Sequence, residues 1–325
     1  MRVAQDFNLA FSSFDNRVAV VNLGNAVPDA AVPVLHIASR KPDPSQESDG
    51  GQLFAVGIGM AAFIKTHGGD KVAPGRIVFE EIEATPQNNH YVFSLLHSAC
   101  GIYSLSSDPS IPINAIGIRK GVVQPTLMPF KVTLLPAFVP RDVSETGTNT
   151  IQVLGHIITS LCQITTRRID PLRPARIVMR SVSSEAVGGG VSVTLRGEVQ
   201  CVNSEDIESI SGLMETTVQG VSRAFATECE VTFESATPGV ETDEQFTERF
   251  MRGARLILGS AGVVKIEFLR SDLTPVSSYI GSVPVCVVSL ARPSGMSLGT
   301  LEEKRDVLTI LETGVKSLAW AFVQP

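Results

Sequence analysis

Strands interleaved with helices on both sides of a β-α-β-β-α-β block predict an α/β domain interrupted by a ferredoxin-like insertion. Three observations carry that expectation. First, Val191–Cys201 alternates cleanly: Val191, Val193, Leu195, Gly197 and Val199 share one face, and Ser192, Thr194, Arg196, Glu198 and Gln200 the other. Second, two amphipathic helices flank that strand region. One spans Ile151–Arg168, with Leu154, Ile157, Ile158, Leu161 and Ile164 at helical spacing. The other is capped by Asn203 or Ser204, carries Glu205, Asp206 and Glu208 in its first turn, and buries Ile207, Ile210, Met214, Val218, Val221 and Phe225. Third, short apolar runs alternating with helices resume on either side of Phe130–Thr237.

Within the block, Phe130–Leu135, Ala175–Ser183 and a run with Cys229, Val231 and Phe233 inward supply the remaining strands. Before it, Arg17–Leu23, Val32–Ile37, Arg76–Ile82 and Asn114–Arg119 read as strands, and Phe54–Lys65 and Asn89–Cys100 as helices. Gly57, Gly59, Ala61 and Ala62 let the first of those helices lie close on a sheet. Arg40–Gly51 is polar and rich in Pro, Gly and Ser, hence a loop. After the block come a helix over Asp243–Leu258 closed by Gly259, strands at Val263–Phe268 and Val283–Leu290, and a last helix, Leu301–Phe322. The expected domains are 1–128 with 239–325, and 129–238.

The 325 residues are 43% hydrophobic and 18% charged, enough apolar material for two cores. A net charge of -6 argues against a broad nucleic-acid footprint. No apolar run is long enough to span a bilayer, and Met1–Phe14 lacks the basic start and apolar core of a secretory signal. Five cysteines without a CxxC pair, with Cys162, Cys201, Cys229 and Cys286 inside apolar patterns, read as buried free thiols. The expected location is an intracellular, reducing compartment, cytoplasm and mitochondrial matrix not being distinguished.

Several local sequences resemble the zinc-dependent amidohydrolase and metallopeptidase family of aminoacylases, hippurate and auxin-conjugate hydrolases and carboxypeptidase G. His156–Leu172 (HIITSLCQITTRRIDPL) is similar to the family's first lid helix and its exit, and Val187–Val199 (VGGGVSVTLRGEV) to the stretch entering the strand "l.GtvR". Val18–Pro28, Gly57–Lys65, Gly75–Glu83 (GRIVFEEIE), Ile111–Gly121 (IPINAIGIRKG) and Tyr279–Leu290 resemble segments of its catalytic domain. The resemblance implies a mixed-sheet α/β metallopeptidase-like (phosphorylase/hydrolase-like) domain with an inserted ferredoxin-like lid that serves dimerisation. The family's usual N-terminal helices have no counterpart before Met1.

The resemblance also implies a pair of zinc ions, and here the residues depart from it. The family's HxCGHD loop aligns with Gln46–Gly51 (QESDGG), and no His or Cys lies between Ser39 and Thr66. The strand that carries a bridging Asp reads Val20–Asn25 (VVNLGN); the segment with a ligating His reads Tyr103–Ser106 (YSLS); the C-terminal one reads Leu290–Pro293 (LARP). Of the family's Glu pair, Glu83 falls on the general-base position and Ala84 on a ligand, and the lid His falls near Val139–Arg141, where Pro140 stands. Zinc needs three or four N, S or carboxylate donors converging on one point. Glu83 without a metal has neither activated water nor a Lewis acid to work with. The expectation is therefore a catalytically inactive member with a vestigial Glu83 and no zinc or other cofactor. It would act as a structural or interaction subunit, a homodimer through the lid or part of a larger assembly. The alternatives are an active hydrolase of N-acyl amino acids or small peptides with an unrecognised site, and a small-molecule binding module in the old cleft.

The remaining chemistry-bearing residues have plainer readings. His90 and His97 lie two turns apart, about 10 Å along a helix, too far to share an ion. His97 and Cys100 are one turn apart but have no evident third partner; His36 and His156 read as structural. Glu80, Glu81 and Glu83 form an acidic cluster near a strand end, Glu81 and Glu83 projecting to one solvated side. Gly188–Gly190 precedes a strand and lacks a P-loop's Lys and Ser/Thr, so it reads as a hairpin turn. Arg167, Arg168, Arg173, Arg176 and Arg180 read as a solvated or subunit-contacting surface, although the resemblance implies that an Arg near here holds a substrate carboxylate. An RNA-recognition sheet would need aromatic residues on Ala175–Ser183 and Val191–Cys201, which have none.

Overall fold

The computed structural model describes residues 11–14, 18–24, 31–40, 50–67, 73–82, 90–136, 149–170, 173–187, 190–267, 269, 275–278, 283–292 and 301–322. The chain divides into one unit of Met1–Val123 with Val240–Pro325 and a second of Gln124–Gly239. The sequence-based limits of the inserted domain, 129 and 238, differ because the strand expected from Phe130 starts at Thr126.

The first unit is built on β1 (Phe11–Phe14), β2 (Val18–Leu23), β3 (Pro33–Arg40), β4 (Gly75–Ile82), β5 (Gly101–Asp108) and β6 (Ile116–Ile118). After the second unit come β13 (Val263–Lys265) and β14 (Val285–Ala291). They form an eight-stranded sheet in the order β1-β2-β4-β3-β5-β14-β6-β13. The four central strands, β4, β3, β5 and β14, run parallel; β2 and β6 are antiparallel to their inner neighbours. Because both faces of a parallel sheet must be covered, its strands are apolar on both sides. On β3, Leu35 and Ile37 face one core while Val34 faces the other. The first core is closed by α1 (Gly50–His67), α5 (Glu244–Leu258) and α6 (Leu301–Phe322), through Val56, Met60, Phe250, Leu318 and Phe322. The second is closed by α2 (His90–His97), through Val92 and Leu96.

The glycines expected to bring α1 close do so at Gly57, where a methyl group would land inside the side chains of Ile37 and Phe79. Asp243 caps α5, its carboxylate accepting from the Phe246 N–H at 2.7 Å, and Gly259 closes the helix at φ +76. The helix expected over Asn89–Cys100 ends at His97, and Gly101 opens β5, a strand the periodicity did not announce. Serines at 104, 106 and 107 hide β5 from a hydropathy reading, although it is buried almost throughout. The strand expected over Val263–Phe268 stops at Lys265. A two-stranded ribbon of β7 (Gly121–Gln124) and β12 (Val240–Thr242) lies where the chain passes from one unit to the other.

The second unit has the predicted topology. Strands β8 (Thr126–Leu135), β9 (Ala175–Val187), β10 (Gly190–Cys201) and β11 (Glu228–Phe233) form an antiparallel sheet in the order β11-β8-β10-β9, the ferredoxin-like arrangement. Helices α3 (Thr150–Arg167) and α4 (Asp206–Ala224) pack Leu154, Ile157, Leu161, Met214 and Val218 onto Val132, Leu134, Val193, Leu195 and Val199. Val187 pairs with Gly190 at the end of the β9–β10 ladder; Gly188 and Gly189, expected in a hairpin turn, lie outside the described residues. Asn149 caps α3, accepting from the Gln152 N–H at 3.2 Å. Neither Asn203 nor Ser204 caps α4 through its side chain. Their carbonyls instead accept from the Asp206 and Ile207 N–H groups, in a turn that precedes the helix. Phe225, expected inside, is 40% exposed and stacks on His156 with ring centroids 4.8 Å apart, because the helix has ended at Ala224.

Candidate active site

In sheets of this kind, ligands bind at the carboxyl ends of the parallel strands. That edge is where β3, β4, β5 and β14 deliver their last residues. The sheet face shared by Val34, Val78, Ile102 and Val287 turns polar as it approaches the edge. On β3 and β4 the next residues on that face are His36 and Glu80, and their side chains meet: Nε2 of His36 lies 2.9 Å from Oε2 of Glu80, and both residues are buried. His36 also stands opposite Ser104 of β5 in register. One step further, the hydroxyls of Ser106 and Ser289, paired across β5 and β14, lie 2.9 Å apart. At the end of β5 the buried carboxylate of Asp108 accepts from the backbone N–H of Ser110 at 2.8 Å and from its hydroxyl at 2.6 Å. The backbone N–H of Arg292 donates to the Asp108 carbonyl. The edge is thus lined with hydroxyls, one carboxylate held by its own turn, and an imidazole held by a glutamate.

On the other face of β5, Tyr103 stacks on Phe246 at 4.7 Å and packs against Phe250 and Phe322; burial, with Cys286 nearby, pushes its phenol above the ordinary range. Burial also pushes the Cys286 thiol up to about 12 and the Cys201 thiol up to about 11. A buried thiol held in the protonated form is neither a nucleophile nor a zinc ligand at neutral pH. Cys100 is shifted up as well, chiefly by burial. Cys162, expected inside, is exposed on α3, because its position falls between the buried Leu161 and Ile164 and turns outward. Native protein treated with an aromatic disulfide reagent is therefore expected to titrate Cys162 first and to release Cys201 and Cys286 only on unfolding. Rapid modification of Cys286 in the native state would contradict that burial.

The segments aligned with the zinc ligands fall as follows. Val20–Leu23 lies in β2, Gly50 and Gly51 open α1, Tyr103–Ser106 sits inside β5, and Leu290–Ala291 ends β14. Glu83 and Ala84 lie outside the described residues, as do 41–49, 137–148 and Pro293. The other histidines do not converge. His97 stacks on Phe93 at 5.3 Å, His156 on Phe225, and the side chains of His67 and His90 are outside the described set. Among the described residues, no three His, Cys, Asp or Glu side chains come together where they could hold a metal ion. The described edge offers one imidazole, two carboxylates and several hydroxyls, and these do not converge on one point as zinc ligands do. Of the acidic cluster, the side chain of Glu81, like Glu83, lies outside the described set; Glu80 is turned inward. The signal for it was available in the sequence: the alternation that buries Val78 also buries Glu80, and the alternation that buries Val34 also buries His36. The arginines lie in the second unit: Arg173 pairs with Asp206 at 2.9 Å and Arg180 with Glu198, while Arg167, Arg168 and Arg176 are exposed.

No protein-family model matches the chain. It is 21% identical over 243 residues to a protein of Synechocystis designated a probable hydrolase, covering 74% of this chain and 62% of that one. It is 20% identical over 151 residues to the N-acetyldiaminopimelate deacetylase of Shouchella clausii, covering 46% of this chain and 40% of that one. The chain thus spans less than two thirds of either relative's length. Among solved structures it superposes on a dinuclear metal-binding peptidase of the M20 family from Bacillus subtilis with a TM-score of 0.66 at 14% identity, over 99% of this chain and 90% of that one. A hydantoinase/carbamoylase family amidase from Burkholderia ambifaria gives a TM-score of 0.69 at 13% identity, over 99% and 88%. No helix among the described residues is long and apolar enough to cross a membrane.

Proposed function

Starting from the premise that the chain has the fold of the M20-type metallopeptidases and amidohydrolases and is related to them in sequence, we propose that it has left their two-metal hydrolysis and works by contact, as a structural or interaction subunit. The observation that supports this reading is substitution at the carboxyl edge. Segments that align with the family's ligands have no His or Cys here, keep Glu47, Asp49 and Glu83 as their only carboxylates, and otherwise carry residues such as Ser, Leu, Gly, Ala and Arg; the described edge holds an imidazole lodged on Glu80 and serines bonded to one another. Without ligands no water is activated and no amide carbonyl is polarised.

The partner in this reading is a second copy, joined through the lid. Strand β9 is a thirteen-residue edge strand, exposed from Arg180 to Val187. Val182 on this strand is 54% exposed, Val191 on the adjoining β10 39%, and Ile151 at the start of α3 60%. Long exposed edge strands recruit another strand unless they are blunted by charge; on this one Arg180 is paired with Glu198, which leaves Glu185 as the charge beyond Val182. Val182→Lys is expected to convert a dimer to monomer in native mass spectrometry while leaving the thermal midpoint within a degree or so; a wild-type monomer would sink the pairing. A second reading, an active hydrolase of N-acyl amino acids, is favoured by the names of the sequence relatives. An assay on N-acetyl and N-benzoyl amino acids separates the two: turnover that scales with protein and is abolished by chelator supports the hydrolase.

A further inference from the structure

Resting on the reading that a second copy joins through the lid, we propose that helix α3 packs antiparallel on α3 of that copy, along a seam of Ile151, Gly155, Ile158, Cys162 and Thr165. These residues recur at alternating spacings of four and three, the interval that keeps a seam on one side of a helix. Around the helix axis the seam lies about 110° from the buried face of Val153, Leu154, Ile157, Leu161 and Ile164. His156 lies on the other side of that face, where it stacks on Phe225 at the end of α4. Helix α3 covers the β9 side of the sheet and α4 the β11 side. The seam is therefore turned away from α4, towards the open β9 edge. Ile151, Gly155 and Cys162 are exposed, and Ile158 and Thr165 half-buried.

Charge decides what the seam takes. From Thr150 to Thr166, α3 has no Asp, Glu, Lys or Arg, whereas α4 exposes Glu208, Glu215 and Arg223. Copies of a chain with net charge -6 repel one another least where both are neutral, and another α3 is a neutral surface the chain itself supplies. The opposite edge of the sheet is blunted: Glu228 and Glu230 are exposed on β11, and Glu234 just beyond it. Strand β9 thus finds its partner in another β9 rather than in β11, and the contact closes as a two-fold pair instead of running into a filament.

The helix pair and the strand pair share one axis. The Thr150 hydroxyl donates to the Val191 carbonyl at 2.6 Å, and Val191 stands opposite Ala186, so α3 begins level with the end of β9. From there α3 runs back towards the start of β9, which the chain enters next. Antiparallel layers set a large residue against a small one when Ile151 meets Cys162, and Ile158 meets Gly155, of the second copy; an alanine at 155 keeps that balance. The two-fold axis then passes between His156 and Ile157. At about 1.5 Å per helical residue and about 3.3 Å per strand residue, that level falls about three residues back from Ala186, at Ser183. Ser183 lies in the middle of the exposed stretch of β9, Arg180 to Val187.

The test is a cysteine placed at Ile151. Within one chain, positions 151 and 162 are about 16 Å apart along the helix, too far for a disulfide, so a bond between them joins two copies. The full chain is oxidised with diamide and run on a non-reducing gel. Most of Ile151→Cys is expected as a covalent dimer. The wild type and Gln152→Cys, one residue along α3 and exposed on a different side, are expected to stay monomeric on the gel. Adding Cys162→Ser to Ile151→Cys abolishes the dimer band. In the wild type, Cys162 remains the first thiol to react with the aromatic disulfide, but severalfold more slowly once the protein is concentrated enough to pair. A dimer in native mass spectrometry, with Ile151→Cys no more crosslinked than Gln152→Cys, overturns the seam and leaves the β9 pairing standing; a wild-type monomer overturns both.

Discussion

Glu80→Ala is expected to lower the thermal midpoint by about 10 °C, from the loss of about 3 kcal/mol when one partner of a buried polar pair is removed. Glu80 and His36 are both buried in the middle of the parallel sheet, and their 2.9 Å contact ties β4 to β3 across the face closed by α2. Alanine at 80 leaves the imidazole buried without the carboxylate it meets; alanine at 36 leaves the carboxylate buried without the imidazole. Either truncation costs more than the bond itself contributes, because the survivor stays buried with one contact fewer to offset its desolvation. The double variant removes both polar groups and is expected to be less destabilised than the sum of the two singles. Denaturant melts of the four proteins measure this directly. Strict additivity would mean that the pair is not coupled.

The second large effect lies in the lid. Gly197→Ala is expected to destabilise that unit by about 3 kcal/mol, at the upper end of what overpacking costs. Gly197 sits next to the bulge, and a methyl group there would strike the Val178 carbonyl of β9 as well as the Phe130 ring of β8. A ring can rotate away, but the carbonyl belongs to the strand backbone, so relief requires β9 to move. Gly155, on the outer side of α3 with open space where its Cβ would be, supplies the contrast: Gly155→Ala is expected to raise stability by about 0.5–1 kcal/mol through helix propensity alone. Hydrogen exchange of the β9 and β10 amides would show where the first change acts. Unchanged protection in Gly197→Ala would contradict the close approach.

How much of this could be read from the chain follows from what each segment must bury. The second unit was legible because α3 and α4 each have one buried and one exposed face and β10 alternates apolar with polar side chains, so their periods survive in the sequence. Its helix ends were less so: the start of α4 depends on a backbone turn by Asn203 and Ser204, and Phe225 falls outside because the helix stops one residue before it. The parallel sheet hid β5, since a strand covered on both faces loses alternation, and serines at 104, 106 and 107 removed its apolar signature. The buried His36–Glu80 pair was missed because nothing in either strand says which residues will be neighbours; that is set by the order β4-β3-β5. The position assigned to Glu83 lies outside the described residues.

Zinc binding tests the functional reading most directly. The full chain, purified without chelator, is analysed for metal and then titrated with zinc by calorimetry. With serines, glycine and alanine at positions aligned with the ligands, the expected result is no stoichiometric zinc as isolated and no tight binding on titration. A pair of tightly held zinc ions per chain, accompanied by release of acetate from an N-acetyl amino acid, would contradict it.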